Sequence, residues 1–199
     1  MTPSTFFGSP LRKGFATIGV VLLLTLAVRP AQAATPAVGQ KAPDFTLSTP
    51  EGAAIHFADL TTKGDVVLIL LRGYPGYQCP YCQKQIHDFI ASADQFAKAG
   101  AQILLVYPGP PADLDQKARE AITKANADQK LPANFHLVID PDYAFTNLYD
   151  LRWDAPKETA YPSTFLVNRK GNIYFAKTSH SHGDRTTAAD TLSELTKAR

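Results

Sequence analysis

Val66-Val67-Leu68-Ile69-Leu70-Leu71, followed after a short loop by Cys79-Pro80-Tyr81-Cys82, is the stretch on which the fold turns. The six apolar residues are too few for a free-standing helix and suit a buried strand. Beyond them, Cys82, Ile86, Phe89, Ile90, Ala93 and Phe96 recur at helical spacing and mark one buried face, with Gly100 ending the helix. Pro80 then falls in the first turn, where a missing N–H is no loss. Cys79 precedes that turn, and the free amides and dipole of a helix N-terminus stabilise a thiolate. Cys82, one turn further on, points inward and is placed to close a small disulfide ring with Cys79. These are the chain's only two cysteines. A Cys-x-x-Cys between a strand and a helix reads as a redox pair rather than a structural staple.

Working outward, Asp44 to Ser48 alternates like a strand, Pro50-Glu51-Gly52 is a turn, and Ile55-His56-Phe57 resumes an extended pattern. A small hairpin therefore precedes the cysteine unit. After it, Gln102 to Tyr107 forms a second buried strand and Pro108-Gly109-Pro110-Pro111 a loop. Asp113 caps a helix running to about Asp128, and Phe135 to Ile139 is a third strand, stopped by Asp140-Pro141. A short helix spans roughly Tyr143 to Tyr149. Thr164 to Val167 and Ile173 to Ala176 are strands joined by Asn168-Arg169-Lys170-Gly171-Asn172, and Asp190 to Lys197 closes the chain as a helix. Alternating strands and helices finished by a hairpin and a helix predict an α/β domain, a mixed sheet with helices on both faces.

The first 33 residues have a different character. Arg12 and Lys13 precede an apolar stretch from Gly14 to Val28, and Ala31-Gln32-Ala33 offers a small-x-small cleavage site. The expected layout is a signal peptide over 1–33, a linker over 34–41 and one domain over 42–199. A retained N-terminal anchor is the alternative, and only in that case is a membrane a partner. Either form delivers the domain to the periplasm or the exterior, where disulfides persist. Losing Arg12, Lys13 and Arg29 turns the formal charge of +2 into −1. Nothing in that balance points to nucleic acid.

Three passages together resemble the thioredoxin superfamily, in its alkyl hydroperoxide reductase/thiol-specific antioxidant (peroxiredoxin-like) branch. Val38-Gly39-Gln40-Lys41-Ala42-Pro43-Asp44-Phe45-Thr46-Leu47 is similar to that branch's entry segment. Arg72-Gly73-Tyr74-Pro75-Gly76-Tyr77-Gln78-Cys79-Pro80-Tyr81-Cys82 is similar to its active-site loop. Tyr161-Pro162-Ser163-Thr164-Phe165-Leu166-Val167-Asn168 is similar to the strand that begins after a cis-proline facing the cysteines. The resemblance implies a thioredoxin-like fold with an N-terminal β-hairpin extension, a cis Tyr161–Pro162 bond, and Tyr161 backbone open to substrate. It also implies a thiol-dependent oxidoreductase.

Two chemistries fit. In thiol–disulfide exchange, Cys79 attacks and Cys82 resolves. In a peroxiredoxin-type peroxidase, the pattern Pro-x-x-x-Thr-x-x-Cys aligned on Pro75 makes Cys82 peroxidatic. It also puts Cys79 where that family has threonine, and Pro162 where it often has arginine. Exchange is the leading expectation, peroxide reduction the alternative. The partners are then a protein or small-molecule disulfide or thiol, or a peroxide, and no cofactor is expected. Arg72, Pro80 and Tyr81 are candidates for tuning the thiolate, as is Lys84. Tyr74, Tyr77, Tyr81 and Trp153 are candidates for an aromatic rim. A third possibility is a non-catalytic metal carrier using both thiols with His180 or His182; no metal site is otherwise expected.

Overall fold

The computed structural model describes residues 1–4, 8, 34–127 and 130–198. The expected signal segment lies almost entirely outside the described residues. No helix among the described residues is long and apolar enough to cross a membrane. The described residues from 34 onward form one compact unit.

Among the described residues thirteen elements follow in order: β1 (Thr46–Ser48), β2 (Ala54–His56), α1 (Phe57–Lys63), β3 (Asp65–Leu70), α2 (Pro80–Ala91), α3 (Ala93–Lys98), β4 (Ala101–Gly109), α4 (Leu114–Asn126), β5 (Phe135–Pro141), α5 (Ala144–Leu148), β6 (Ser163–Val167), β7 (Ile173–Thr178) and α6 (Ala188–Lys197). The strands make one sheet in the order β2-β1-β5-β4-β3-β6-β7. β3, β4 and β5 are parallel; β1, β6 and β7 join antiparallel. The expected mixed sheet with an N-terminal hairpin is what forms.

Period-two alternation along β3 divides the apolar interior in two. Val67 and Ile69 face a cluster with Ile86, Phe89, Phe96, Ala118 and Leu195, under α2, α3, α4 and α6. Val66, Leu68 and Leu70 face a second cluster with Phe57, Leu60, Phe145, Tyr149 and Phe165, under α1 and α5. Both faces of the central strands are covered, so the run Val66 to Leu71 is apolar without a break and fully buried.

Several local readings shift. The expected single helix after the cysteines is two, broken at Ser92, whose φ of −100° and ψ of 10° leave the helical region. Phe57 opens helix α1 instead of extending a strand, and the Asp44 carboxylate accepts from the Ala58 amide in its first turn. β4 continues through Pro108 and Gly109, which were expected in a loop, because they pair with Asp140 and Pro141 at the end of β5. The segment read as a linker is tied along β7: Gly39 donates to the Ile173 carbonyl and Ile173 to the Gln40 carbonyl.

Candidate functional site

β3 ends at Leu70, and the chain crosses to α2 over residues 71–79, at the carboxyl ends of the parallel strands. That is where open α/β sheets place ligands. The crossing is fixed at several points. Gly73, at φ +76°, lies so close to β4 that a Cβ there would sit 1.8 Å from the Pro108 carbonyl oxygen. Tyr74 donates its amide to that same carbonyl at 2.9 Å. Gln78 donates to the Lys117 carbonyl and accepts from the Tyr107 hydroxyl. A loop tied to β4 and α4 in this way delivers Cys79 to a defined place.

Cys79 is the N-cap residue of α2, with extended backbone (φ −78°, ψ 118°), and Pro80 opens the helix. Both cysteines are reduced and both are buried, at 2% exposure. Their ionisation is nevertheless opposite. The Cys79 thiol is pulled down to about 5, first by a hydrogen bond from the Cys82 thiol. The backbone amides of Cys82 and Tyr81 and the charge of Arg185 add to this, and together they overcome burial. Cys82 is pushed up, chiefly by burial and then by its bond to Cys79. The site therefore holds one thiolate and one thiol, with the thiol donating to the thiolate.

The cation at the sulfur is Arg185, from the loop between β7 and α6. Its Nη2 donates to Cys79 Sγ at 3.8 Å, its Nη1 to Gln85 Oε1 at 2.9 Å and its Nε to the His182 carbonyl at 2.8 Å. Gln85, on the inner side of α2, also donates to the Thr186 carbonyl at 3.2 Å. Sequence reading missed Arg185 and Gln85. Arg185 is 106 residues from Cys79, and no local pattern marks it.

Arg72 does not play the expected part. Its side chain is committed to other partners: Nε donates to Glu158 Oε2 at 2.5 Å, Nη2 to the Lys157 carbonyl, and the guanidinium packs on the Tyr77 ring. Burial is the strongest single influence and opposes its charge, but the hydrogen bonds and charges of Glu158 and Tyr77 together outweigh it and hold the guanidinium above its ordinary range. What Arg72 offers the site is its backbone amide, which favours the ionised form of Cys82. Pro80 opens α2, and the Tyr81 amide favours the ionised form of Cys79. The Tyr81 ring is exposed and Lys84 is exposed beside it.

The Pro162 expectation needs correction too. The Tyr161–Pro162 bond is trans, the form an X–Pro bond takes unless its surroundings select the other. Pro162 is buried beside Gln85, Arg185 and Thr186, and its carbonyl accepts from Ser179. The Tyr161 amide donates to the Leu151 carbonyl, and its carbonyl accepts from the Ser163 hydroxyl. Its backbone is already engaged, so what Tyr161 presents is its ring. That ring stacks on Trp153 with centroids 4.8 Å apart. Trp153 lies 5.4 Å from the His182 ring, and Tyr81 lies 6.4 Å from it. Tyr81, His182, Trp153 and Tyr161 thus form one run of neighbouring rings, while the Tyr77 ring packs on Arg72.

The histidines of the metal alternative are engaged elsewhere. His182 Nε2 is 3.0 Å from Glu158 Oε1, and the His180 ring lies 5.0 Å from the Tyr161 ring. Among the described residues, no group of three or more His, Cys, Asp or Glu side chains is placed to hold a metal ion.

Between α2 and the Arg185 loop runs an open groove of about 480 Å³, lined by Tyr81, Lys84, Gln85, Arg185 and Thr186 among others. It starts beside the residue that touches Cys79.

Residues 38–176 match the model of the AhpC/TSA family. Peroxiredoxin Bcp of Bacillus subtilis (strain 168) is 28% identical over 142 residues, which covers 68% of this chain and 81% of that protein. Thiol-disulfide oxidoreductase ResA of the same organism is 26% identical over 135 residues, 68% of this chain and 64% of that one. Among solved structures, peroxidoxin BcpB from Mycobacterium tuberculosis superposes with a TM-score of 0.63 at 20% identity, covering 82% of this chain and 99% of the other. The fold is thioredoxin-like, and the chain is a thiol-dependent oxidoreductase that belongs to the AhpC/TSA family.

Proposed function

We propose that the protein is an extracytoplasmic thiol–disulfide oxidoreductase that works through Cys79 and Cys82. The observation that carries this reading is the division of labour between the sulfurs: Cys79 is the thiolate in contact with Arg185, and Cys82 is its buried proton-bearing neighbour. Cys79 attacks a substrate disulfide, forms a mixed disulfide and expels one substrate thiolate. Cys82 gives up its proton, attacks the Cys79 sulfur and releases the second substrate thiolate. The protein's thiolate–thiol pair becomes a disulfide, and the substrate gains two electrons and the Cys82 proton, with a second proton from solvent completing its dithiol. The reverse sequence oxidises a substrate dithiol.

A lowered nucleophile pKa raises the thiolate fraction and makes Cys79 the better leaving group when Cys82 attacks. The substrate is a protein or small-molecule disulfide, approaching over the run of aromatic rings or the groove along α2. Localisation in the periplasm or outside the cell follows from the basic and apolar N-terminal segment.

Peroxide reduction is the second reading, favoured by the name of the Bacillus subtilis relative. Against Cys82 as peroxidatic residue stands its raised pKa, which disfavours the thiolate that attack on peroxide requires. The test is a Cys82→Ser variant, mixed with extracts of the exported fraction and analysed by mass spectrometry. Stable mixed disulfides on Cys79 are expected. Millisecond oxidation of Cys82 in the wild-type protein by micromolar peroxide, in stopped flow, would reverse the assignment.

A further inference from the structure

Glu158 lies on the segment between α5 and β6 and joins two parts of the molecule. One oxygen accepts from Arg72 Nε at 2.5 Å, and the other is 3.0 Å from His182 Nε2. Arg72 is 1% exposed at the end of β3, anchored a second time on the Lys157 carbonyl, so this end of the bridge is rigid. His182 is on the loop between β7 and α6. Its own carbonyl accepts from Arg185 Nε at 2.8 Å, and Arg185 reaches Cys79. The ends of this loop are tied to the body of the protein, Ser179 through its amide to the Pro162 carbonyl and Thr186 through its carbonyl to Gln85; between them the Glu158–His182 contact is joined by ring contacts of His180 with Tyr161 and of His182 with Tyr81 and Trp153. Within residues 179–184 it is held by its own serines, Ser179 to Ser181 and Ser181 to Asp184. The Lys177–Asp184 pair, at 2.7 Å, is exposed on both sides and of small worth.

We propose that Glu158 is a positioning residue for the nucleophile, holding through His182 the loop that keeps Arg185 against Cys79. The proposal rests on the reading of Cys79 as the attacking thiolate. It makes a prediction of unusual sign. A carboxylate acting simply as a nearby negative charge raises a thiol's pKa, so deleting it lowers that pKa. A carboxylate that holds a cation in contact with the sulfur does the opposite when deleted. The contact charge is nearer to the sulfur than Glu158, which reaches it only through two other residues, and its loss dominates.

The experiment is a pH titration of thiolate ultraviolet absorbance in the reduced full-length protein, with alkylation rates in parallel. Glu158→Ala and His182→Ala are expected to raise the Cys79 midpoint by about one pH unit, roughly a tenfold loss of thiolate at acidic pH. Arg185→Ala is expected to raise it at least as far. With Arg185→Ala already present, neither Glu158→Ala nor His182→Ala should move the midpoint further, because residues acting through one group are not additive. If Glu158→Ala does not fold, His182→Ala carries the test, since it leaves the buried Arg72–Glu158 pair intact. A low wild-type midpoint that stays or falls in the variants overturns this inference alone. So does a further rise on top of Arg185→Ala. A wild-type midpoint in the ordinary thiol range overturns the reading of Cys79 and this inference with it.

Discussion

Cys79 and Cys82 are equally buried, yet one is a thiolate and the other is not. Burial alone would raise both. What separates them is the supply of donors: Cys79 sits at the open end of α2, where two amides, a thiol and a guanidinium converge, while Cys82 lies inside the helix's apolar face. In reduced protein, Cys79 should titrate with a midpoint near 5 and react with alkylating agents before Cys82, which peptide mapping after a brief pulse at mildly acidic pH will show. The same shift has a sign in stability. An acid whose pKa is depressed by folding stabilises the folded state fully above its unfolded value, here 9.0, and loses that contribution as pH falls through about 5. Denaturant unfolding of the reduced protein, set against Cys79→Ala, should therefore show an advantage that grows from pH 5 towards pH 9. Arg185→Lys keeps the charge but not the three-way fork to His182, Gln85 and the sulfur, so it should restore only part of the low midpoint lost in Arg185→Ala.

Among the elements, the crossing from β3 to α2 depends on Gly73. An alanine there meets both a positive φ and the Pro108 carbonyl, so Gly73→Ala should destabilise by more than about 1 kcal/mol and slow disulfide exchange by shifting Cys79. Equilibrium unfolding and a turnover assay check the two halves separately. At the other end of the site, α6 opens with a capping box between Thr187 and Asp190; Thr187→Ala should cost about 1 kcal/mol in unfolding free energy. These elements differ in how legible they were. The unbroken apolar runs of β3 and β4 announce strands, and Pro80 announces a helix start. By contrast α1 is only seven residues and follows directly on a three-residue strand, too short for a period to declare itself. Strand β4 runs through Pro108 because pairing with β5 overrides the local turn chemistry. In the site, Cys79, Cys82, Pro80 and Tyr81 were legible because their chemistry is local. Arg185 and Glu158 were not, since they act across 106 and 86 residues, and Arg72 looked available only because its partner lay so far along the chain.

At the scale of the molecule, the N-terminal segment leads to a prediction about processing: the exported protein should begin at Ala34, as an intact mass will show, and a retained Met1 would mean an anchored form. Within the domain, the two cysteines belong to the same apolar cluster as Ile86, Phe89 and Leu195, the cluster under α2 and α6. Making or breaking a bond between them thus changes the packing of the hydrophobic interior as well as the site. Melting and reduction are then two sides of one thermodynamic cycle. The difference in unfolding free energy between the dithiol and disulfide forms, measured by calorimetry, fixes how far the folded protein's reduction potential departs from that of its unfolded chain, at about 30 mV for every 1.4 kcal/mol. Since the folded dithiol form gains from an ionised Cys79, it should melt at the higher temperature, and the folded protein should accept electrons more readily than the same two cysteines in a denatured chain. A calorimeter would serve here as an electrode.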